Sequence, residues 1–382
     1  MASKHTNTLT PEQTAILRLF RGSGIGAATY HKLIAYYATP EKALAALEVE
    51  NKRLKPAPLE ATEKELVALG KLGAQFVFIT DGLYPAALKA LPDAPPVLAT
   101  LGNLELLNAP MVAMVGTRNA SANGCRLTHT LATELGGKDW GVVSGLARGI
   151  DTAAHKGALK GGAGTIAVLG GGLDHIYPTE NTDLFWQIAE QGLILAETPL
   201  GSKPTAQSFP RRNRIVSGLA AGTVVVEAAR HSGSLITAQL AGEQGREVMA
   251  IPGHPSEPRS YGCNHLLRQG ATLVSTADDI VEAVQGFNFS APRPVAPTLY
   301  SRENQPSFEM PLEMPPQETP SEDNGSLEDR ILAALSADQT PLDDVIANVA
   351  ENEAVVMSAI TELELDGKVE RLQGGYLMLT NT

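Results

Sequence analysis

The chain has 382 residues, 43% of them hydrophobic, with 30 Lys and Arg, 42 Asp and Glu, and two cysteines. That length supports two or three domains with real cores, and Cys125 and Cys263 stand too far apart for a disulfide framework or a cysteine zinc site. No signal peptide opens the chain and no apolar run nears about 18 residues, so a soluble, cytoplasmic protein with no membrane partner is expected.

A net charge of −12 would set the chain against nucleic acid if it were evenly spread. Residues 302–382, however, hold 17 Asp and Glu against 4 Lys and Arg, leaving 25 acids and 26 bases upstream. Local basic clusters before residue 302 are free to meet an anion.

In chain order, residues 1–10 are polar and expected to fray. Thr10-Pro11-Glu12 predicts a helix start ahead of Ile16, Leu17, Leu19 and Phe20. Arg21-Gly22-Ser23-Gly24-Ile25-Gly26 reads as a tight glycine turn, with helices over 27–37, from Pro40, and over 60–72. Residues 1–73 form a small helical domain of SAM-like, helix-hairpin-helix character. Such a turn can offer amides to a DNA backbone, but few cations flank it, and the plain reading as a packing module is favoured.

Strands are expected over 74–80 and 97–101. Met111–Val115 is an apolar run stopped by Gly116, the pattern of a buried parallel strand. A polar turn over 117–123 precedes a helix over 124–135, with Leu127, Leu131 and Leu135 on one face. Gly141–Ser144 is a second strand, broken by Gly145, and Ile150 opens the next helix. This βαβα unit should hold an anion at the N-terminus of its first helix. It is not a dinucleotide fingerprint. Gly-x-Gly-x-x-Gly is missing, no acidic residue ends the second strand, and no Walker sequence occurs. Arg118, a fixed cation beside amide donors, suits a phosphate diester as well as a free nucleotide.

Further strands are expected over 165–169, 193–197, 223–227, 247–251 and 271–274, with helices between most of them. The fold class is α/β, a doubly wound, mainly parallel sheet over 74–285. Residues 286–325 carry eight prolines between Pro292 and Pro320 and read as an extended, disordered linker. Residues 326–382 read as helices over 327–336, 341–350 and 351–365 and a hairpin, which is a winged helix. Its third helix would normally enter a major groove. Residues 351–367 carry five acids and no base, so phosphate repulsion favours a protein-contact module.

Ser208-Phe209-Pro210-Arg211-Arg212-Asn213-Arg214 puts three arginines and an aromatic within seven residues. Arginines pair with phosphates, and Phe209 offers a base a stacking face. A solvated basic turn with Phe209 in the core fits equally well. Ser232, Gly233 and Ser234 open a helix after a strand and form a second anion cradle or an ordinary N-cap. Asp151 and His155 share a helix face, where a capping Asp and a packed His are favoured over a metal site. No histidine spacing suits a metal and no Ser-His-Asp order is convincing. No catalytic residue, metal or cofactor is expected.

Together these stretches resemble DNA-processing protein A, the DprA/Smf family. The resemblance runs in order through Tyr84-Pro85, Asp93–Pro96, Val115–Arg118, Ser144–Asp151 with Ala154-His155, Thr165–Gly170, Phe209–Arg214, Ser232–Ala238 and Pro252-Gly253. It implies an extended Rossmann-like core over 74–285 that binds single-stranded DNA, forms a homodimer and loads RecA recombinase in natural transformation. Carried over by motif, Arg118, Phe209, Arg211, Arg212, Asn213 and Arg214 would be DNA-binding positions. Gly116, Thr117, Ser144, Gly145, Arg148, Gly170, Gly171, Ser232, Gly233 and Ser234 would supply walls and amides. Thr117 stands where the family usually has Ser. A lysine shortly before the Phe is not evident, Lys203 being nearest. The core also resembles nucleotide phosphoribohydrolases of the same Rossmann variant, but their Pro-Gly-Gly-x-Gly-Thr-x-x-Glu run is absent. Release of base from a nucleoside monophosphate would identify that enzyme, and a single-stranded DNA shift would identify the binder.

Overall fold

The computed structural model describes residues 9–50, 54–288, 327–335, 340–342, 345, 353–366, 368–372 and 376–379. They fall into two compact units, one within 1–308 and the other within 309–382. The linker expected over 286–325 lies, from residue 289 on, outside the described residues.

The first unit opens with α1 (Pro11–Phe20), α2 (Ala27–Tyr37), α3 (Pro40–Glu50) and α4 (Leu59–Lys71). A capping box starts α1: the Thr10 hydroxyl accepts from the Gln13 amide, and the Gln13 side chain accepts from the Thr10 amide. The glycine turn after α1 is sterically required, since a Cβ at Gly22 would lie 2.5 Å from the Lys55 carbonyl oxygen. Ile16, Leu17 and Leu19 pack in one core with Phe76, Phe78, Ala167 and Ile194 of the sheet that follows. Gln13 Nε2 donates to Asp81 at 3.1 Å, and Arg21 Nη1 donates to the Glu197 carbonyl at 3.0 Å.

That sheet has nine strands: β1 (Gln75–Phe78), β2 (Val97–Gly102), β3 (Met111–Val115), β4 (Gly141–Ser144), β5 (Thr165–Leu169), β6 (Leu193–Ala196), β7 (Gly222–Val225), β8 (Glu247–Ala250) and β9 (Thr272–Leu273). Their order is β1-β2-β6-β5-β4-β3-β7-β8-β9. The pairs β1–β2 and β2–β6 are antiparallel and the rest parallel. Every residue of β3 is buried, which is why it reads as an unbroken apolar run.

The short α5 (Ala86–Lys89) follows β1, and seven longer helices cover the sheet: α6 (Ala122–Gly136), α7 (Ile150–Gly161), α8 (Thr182–Gln191), α9 (Ser208–Leu219), α10 (Gly233–Glu243), α11 (Tyr261–Arg268) and α12 (Ala277–Val284). Alternate strand residues face opposite ways. Val112 and Met114 meet Leu131, Leu135, Ile150 and Ile280 from α6, α7 and α12. Ala113 and Val115 share a core with Ile215, Leu219, Ala238 and Leu266 from α9, α10 and α11. Each such leucine contributes about 1.5–3 kcal/mol. The strand order reverses between β3 and β7, where a sheet of this class usually binds its ligand.

In the second unit, α13 (Leu327–Ala334) and α14 (Glu353–Leu365) join β10 (Thr340–Pro341), β11 (Val369–Leu372) and β12 (Tyr376–Leu379) in an antiparallel sheet of order β10-β12-β11. Ile331, Val356, Ile360, Leu363, Val369 and Leu377 form its core. The strand at Thr340–Pro341 falls where a helix start was expected, because two residues beside a proline leave no period to detect. The rest of the helix expected over 341–350 and the turn at 373–375 lie largely outside the described residues.

Candidate nucleic-acid interface

The anion expected at the first strand-to-helix turn is supplied by the chain itself. Glu227, just past β7, accepts hydrogen bonds from the Ser121 amide and hydroxyl at the N-terminus of α6. The Ser121 hydroxyl in turn accepts from the Gly124 amide at 2.9 Å. A Cβ at Gly124 would lie 2.5 Å from the Glu227 carboxyl carbon, so only glycine admits the carboxylate. The Thr117 amide donates to the Glu227 carbonyl at 2.8 Å. The crevice between β3 and β7 is thereby closed, and the expected phosphate cradle at α6 is corrected to an internal carboxylate cap.

The open surface lies instead past the ends of β3, β4 and β5, under the start of α9. The Ser208–Arg214 run, for which a basic turn was one of two readings, forms the first turns of that helix. Helical phase separates its arginines. Arg211 is exposed and Asn213 half-buried, whereas Arg212 and Arg214 are 7% and 9% exposed. Arg214 pairs with Glu197, lies 3.5 Å from the Asp93 carboxylate and donates to the Asp93 carbonyl at 2.7 Å. Tyr84 braces the same corner by donating to the Pro95 carbonyl at 2.6 Å. Burial raises the Glu197 carboxyl, and the guanidinium of Arg214 opposes this.

Arg212 lies flat on the loop after β4. Its Nη1 would stand 1.4 Å from a Cβ at Gly145, and it donates to the Val168 carbonyl at 2.9 Å. Neither Arg212 nor Arg214 presents an exposed guanidinium to a phosphate: Arg214 is paired with Glu197 and Asp93, and Arg212 is buried with its Nε lacking an acceptor.

The loop after β4 is held from beneath. The Asp151 carboxylate accepts from the Gly145 amide at 3.0 Å and the Ala147 amide at 3.4 Å. His155 Nε2 accepts from the Leu146 amide, and its Nδ1 hydrogen-bonds Thr165. Burial, then Arg212, pushes His155 down to about 3, which keeps the ring neutral as that acceptor role requires. Burial raises Asp151, opposed first by Arg212. This clamp holds Leu146 at φ 58°, a left-handed conformation rare for leucine. His155 is thus a packed histidine, as favoured from sequence, whereas Asp151 holds the preceding loop and does not cap α7, whose start has no side-chain cap.

Ser144 is also interior, its hydroxyl donating to the Met114 carbonyl at 2.7 Å, so it is corrected from pocket wall to core. Gly170 and Gly171 are buried beneath the segment leading into α9: their Cβ atoms would meet Phe209 at 3.3 Å and Pro204 at 2.9 Å. They make room for protein rather than for phosphate. Arg148 is exposed and pairs with Glu180. Ser232 caps α10 by accepting from the Ser234 amide, and Gly262 packs against Ala228 and Leu235 nearby. The segment 232–234 thus serves as the N-cap of α10, beside α11.

What remains open is compact. The Arg118 guanidinium carbon lies 5.1 Å from the centre of the half-buried Phe209 ring, and Tyr177 lies 6.1 Å from that ring on the floor made by Gly170. Arg118 is exposed and makes no hydrogen bond or ion pair among the described residues. Gly116 and Gly149 let its loop settle: Cβ atoms there would fall 2.5 Å from Ile150 and from the Thr117 carbonyl oxygen, and Gly149 has φ 70°. Tyr177 was missed from sequence. A tyrosine before proline has no local signal, and only the fold brings it to Phe209.

Residues 75–285, over half the chain, match the family model for DNA recombination-mediator protein A, DprA. The chain belongs to this family. The DprA winged-helix model matches residues 315–375 and the DprA-like N-terminal HHH model residues 10–68. Among relatives, Protein Smf of Escherichia coli is 37% identical over 84% of this chain and 82% of its own. The DNA processing protein DprA of Streptococcus pneumoniae is 46% identical over 53% of this chain and 72% of its own. The crystal structure of the pneumococcal DprA aligns over 74% of this chain and all of that one, with TM-score 0.62 and 36% identity. A Helicobacter pylori DprA, described for its single-stranded DNA binding mode, aligns over 55% of this chain and 96% of that one, with TM-score 0.51 and 33% identity. Among the described residues no helix is long and apolar enough to cross a membrane.

Proposed function

We propose that this chain binds single-stranded DNA through the Arg118–Phe209–Tyr177 surface and loads RecA recombinase onto it in natural transformation. The observation that carries the reading is the pairing of an unspent cation with a partly open aromatic face on a glycine floor. An unpaired base stacks on Phe209 or Tyr177 while Arg118 takes the adjoining phosphate. A base inside a duplex cannot reach a ring set into the surface, so the site selects single strands, and every base has a stacking face, so it tolerates any sequence. The relative from H. pylori described as binding single-stranded DNA supports this reading. RecA loading and a homodimer follow from the family resemblance. A dimer would join two such sites on one strand and raise their effective concentration.

The test is a titration of single-stranded DNA at several salt concentrations. Arg118→Ala should weaken binding and lower the log–log salt slope by roughly 0.7, one phosphate's worth. Phe209→Ala should cost about 1–3 kcal/mol with the slope kept, because stacking releases no counterion. If both variants bind like the natural chain, the site is wrong. For loading, RecA filament growth is followed on DNA pre-coated with single-strand binding protein. Stimulation that requires Arg118 supports the loader, and inhibition at every concentration removes it.

A further inference from the structure

A cleft of about 810 Å³ opens between the glycine turn of the helical lobe and the start of α9. One wall is Gly22 and Gly24–Thr29, and the other includes Ser202, Lys203, Thr205, Ser208 and Arg211. On the first wall Gly26 is the N-cap of α2, which has no side-chain cap and no acid in its first turn. Its first amide bonded back into the helix is that of Tyr30, to the Gly26 carbonyl. The amides of Ala27, Ala28 and Thr29 therefore face the cleft end of the helix without a helical acceptor, and together they carry a partial positive charge.

The opposite wall adds whole charges. Lys203 and Arg211 are exposed and make no hydrogen bond or ion pair among the described residues. Arg212, more than nine-tenths buried, forms part of the same wall, and its Nε has no acceptor. Asp93 and Glu197 also line the cleft but already hold Arg214, and Arg21 is held by Glu65. Two free cations and an open helix N-terminus thus line one space, with the buried charge of Arg212 behind its wall, which calls for an anion.

Its class follows from position. Ser208 lines this cleft and also stands, with Phe209, over Gly170, so the cleft and the aromatic site lie on either side of the first turn of α9. We propose that the cleft binds a backbone phosphate of the same DNA strand, held by the α2 amides, Lys203 and Arg211. The helical lobe then extends the binding track beyond the nucleotide stacked at Phe209. This rests on the single-strand reading above.

The experiment uses the full chain and oligothymidylates of about 4 and about 16 nucleotides, the span of known single-strand site sizes. Ala28→Asp places a carboxylate at an exposed position in the first turn of α2, where it supports the helix and repels a phosphate. The melting temperature should hold or rise while affinity for the long oligomer falls about two- to fivefold at low salt and that for the short one is kept. Lys203→Ala and Arg211→Ala should each lower the salt slope for the long oligomer by roughly 0.7. Natural affinity of Ala28→Asp for the long oligomer, or an equal loss at both lengths, overturns the extended track while Phe209→Ala stays weak. If instead Phe209→Ala binds both lengths normally, the single-strand reading itself has failed.

Discussion

Arg211, Arg212 and Arg214 are near neighbours in sequence and differ wholly in what they touch. Arg214 sits between Glu197 and Asp93, so Arg214→Ala should destabilise the fold by about 3–5 kcal/mol by leaving a buried carboxylate unpaired. Thermal melting checks this, and the folded fraction should keep the natural salt slope for DNA; a lost slope would return Arg214 to the binding surface. The run was legible as chemistry, phosphate-seeking arginines around a stacking ring, but not as geometry. Only the phase of α9 decides which arginine faces out, and the sequence reading had not placed a helix there.

His155 carries a second residue-scale prediction. Its native value of about 3 lies below the ordinary 6.5, so between those values the unfolded chain binds a proton that the folded chain refuses. Stability should fall as pH drops through that window, by up to about 1.4 kcal/mol per pH unit. Asp151, raised by burial, acts in the opposite sense, losing its contribution as pH rises through its native value. The measurement is therefore a comparison: His155→Gln should flatten the decline in denaturant midpoint relative to the natural chain, and an equal slope would show that another group titrates.

At the scale of elements, strands and their glycine stops could be read because buried parallel strands announce themselves by unbroken apolar runs, as at Met111–Val115. The N-terminus of α6 was expected to hold an anion, and the anion it holds is the chain's own Glu227, which lies just past β7 and over a hundred residues from Ser121. The loops after β3 and β4 meet at Gly149, whose φ of 70° and 2.5 Å approach to the Thr117 carbonyl exclude a side chain. Gly149→Ala should cost about 1–3 kcal/mol and displace the Arg118 loop, weakening DNA binding beyond what the loss of stability explains. Denaturation and DNA titration on the same preparation separate the two effects. Unchanged affinity would show that the loop position is immaterial.

At the scale of the molecule, charge is partitioned along the chain. A chain ending at Gln285 keeps the aromatic site and sheds the strongly acidic stretch, which leaves it near neutrality. It should still bind single-stranded DNA, at least as tightly at low salt. Circular dichroism establishes folding and a gel shift reads binding; a folded product that does not bind would move DNA recognition to the acidic unit. The helical lobe is a different case. Ile16, Leu17 and Leu19 share a core with Phe76, Phe78, Ala167 and Ile194, so the boundary suggested near residue 73 is a boundary of topology but not of packing. A gene rearrangement that imported a foreign helical lobe would bring side chains cut for another sheet, whereas the tail carries its own core around Ile331, Ile360 and Leu377. Exchange of the lobe alone should therefore lower the melting temperature of the sheet with it, whereas exchange of the tail should leave that melting unchanged.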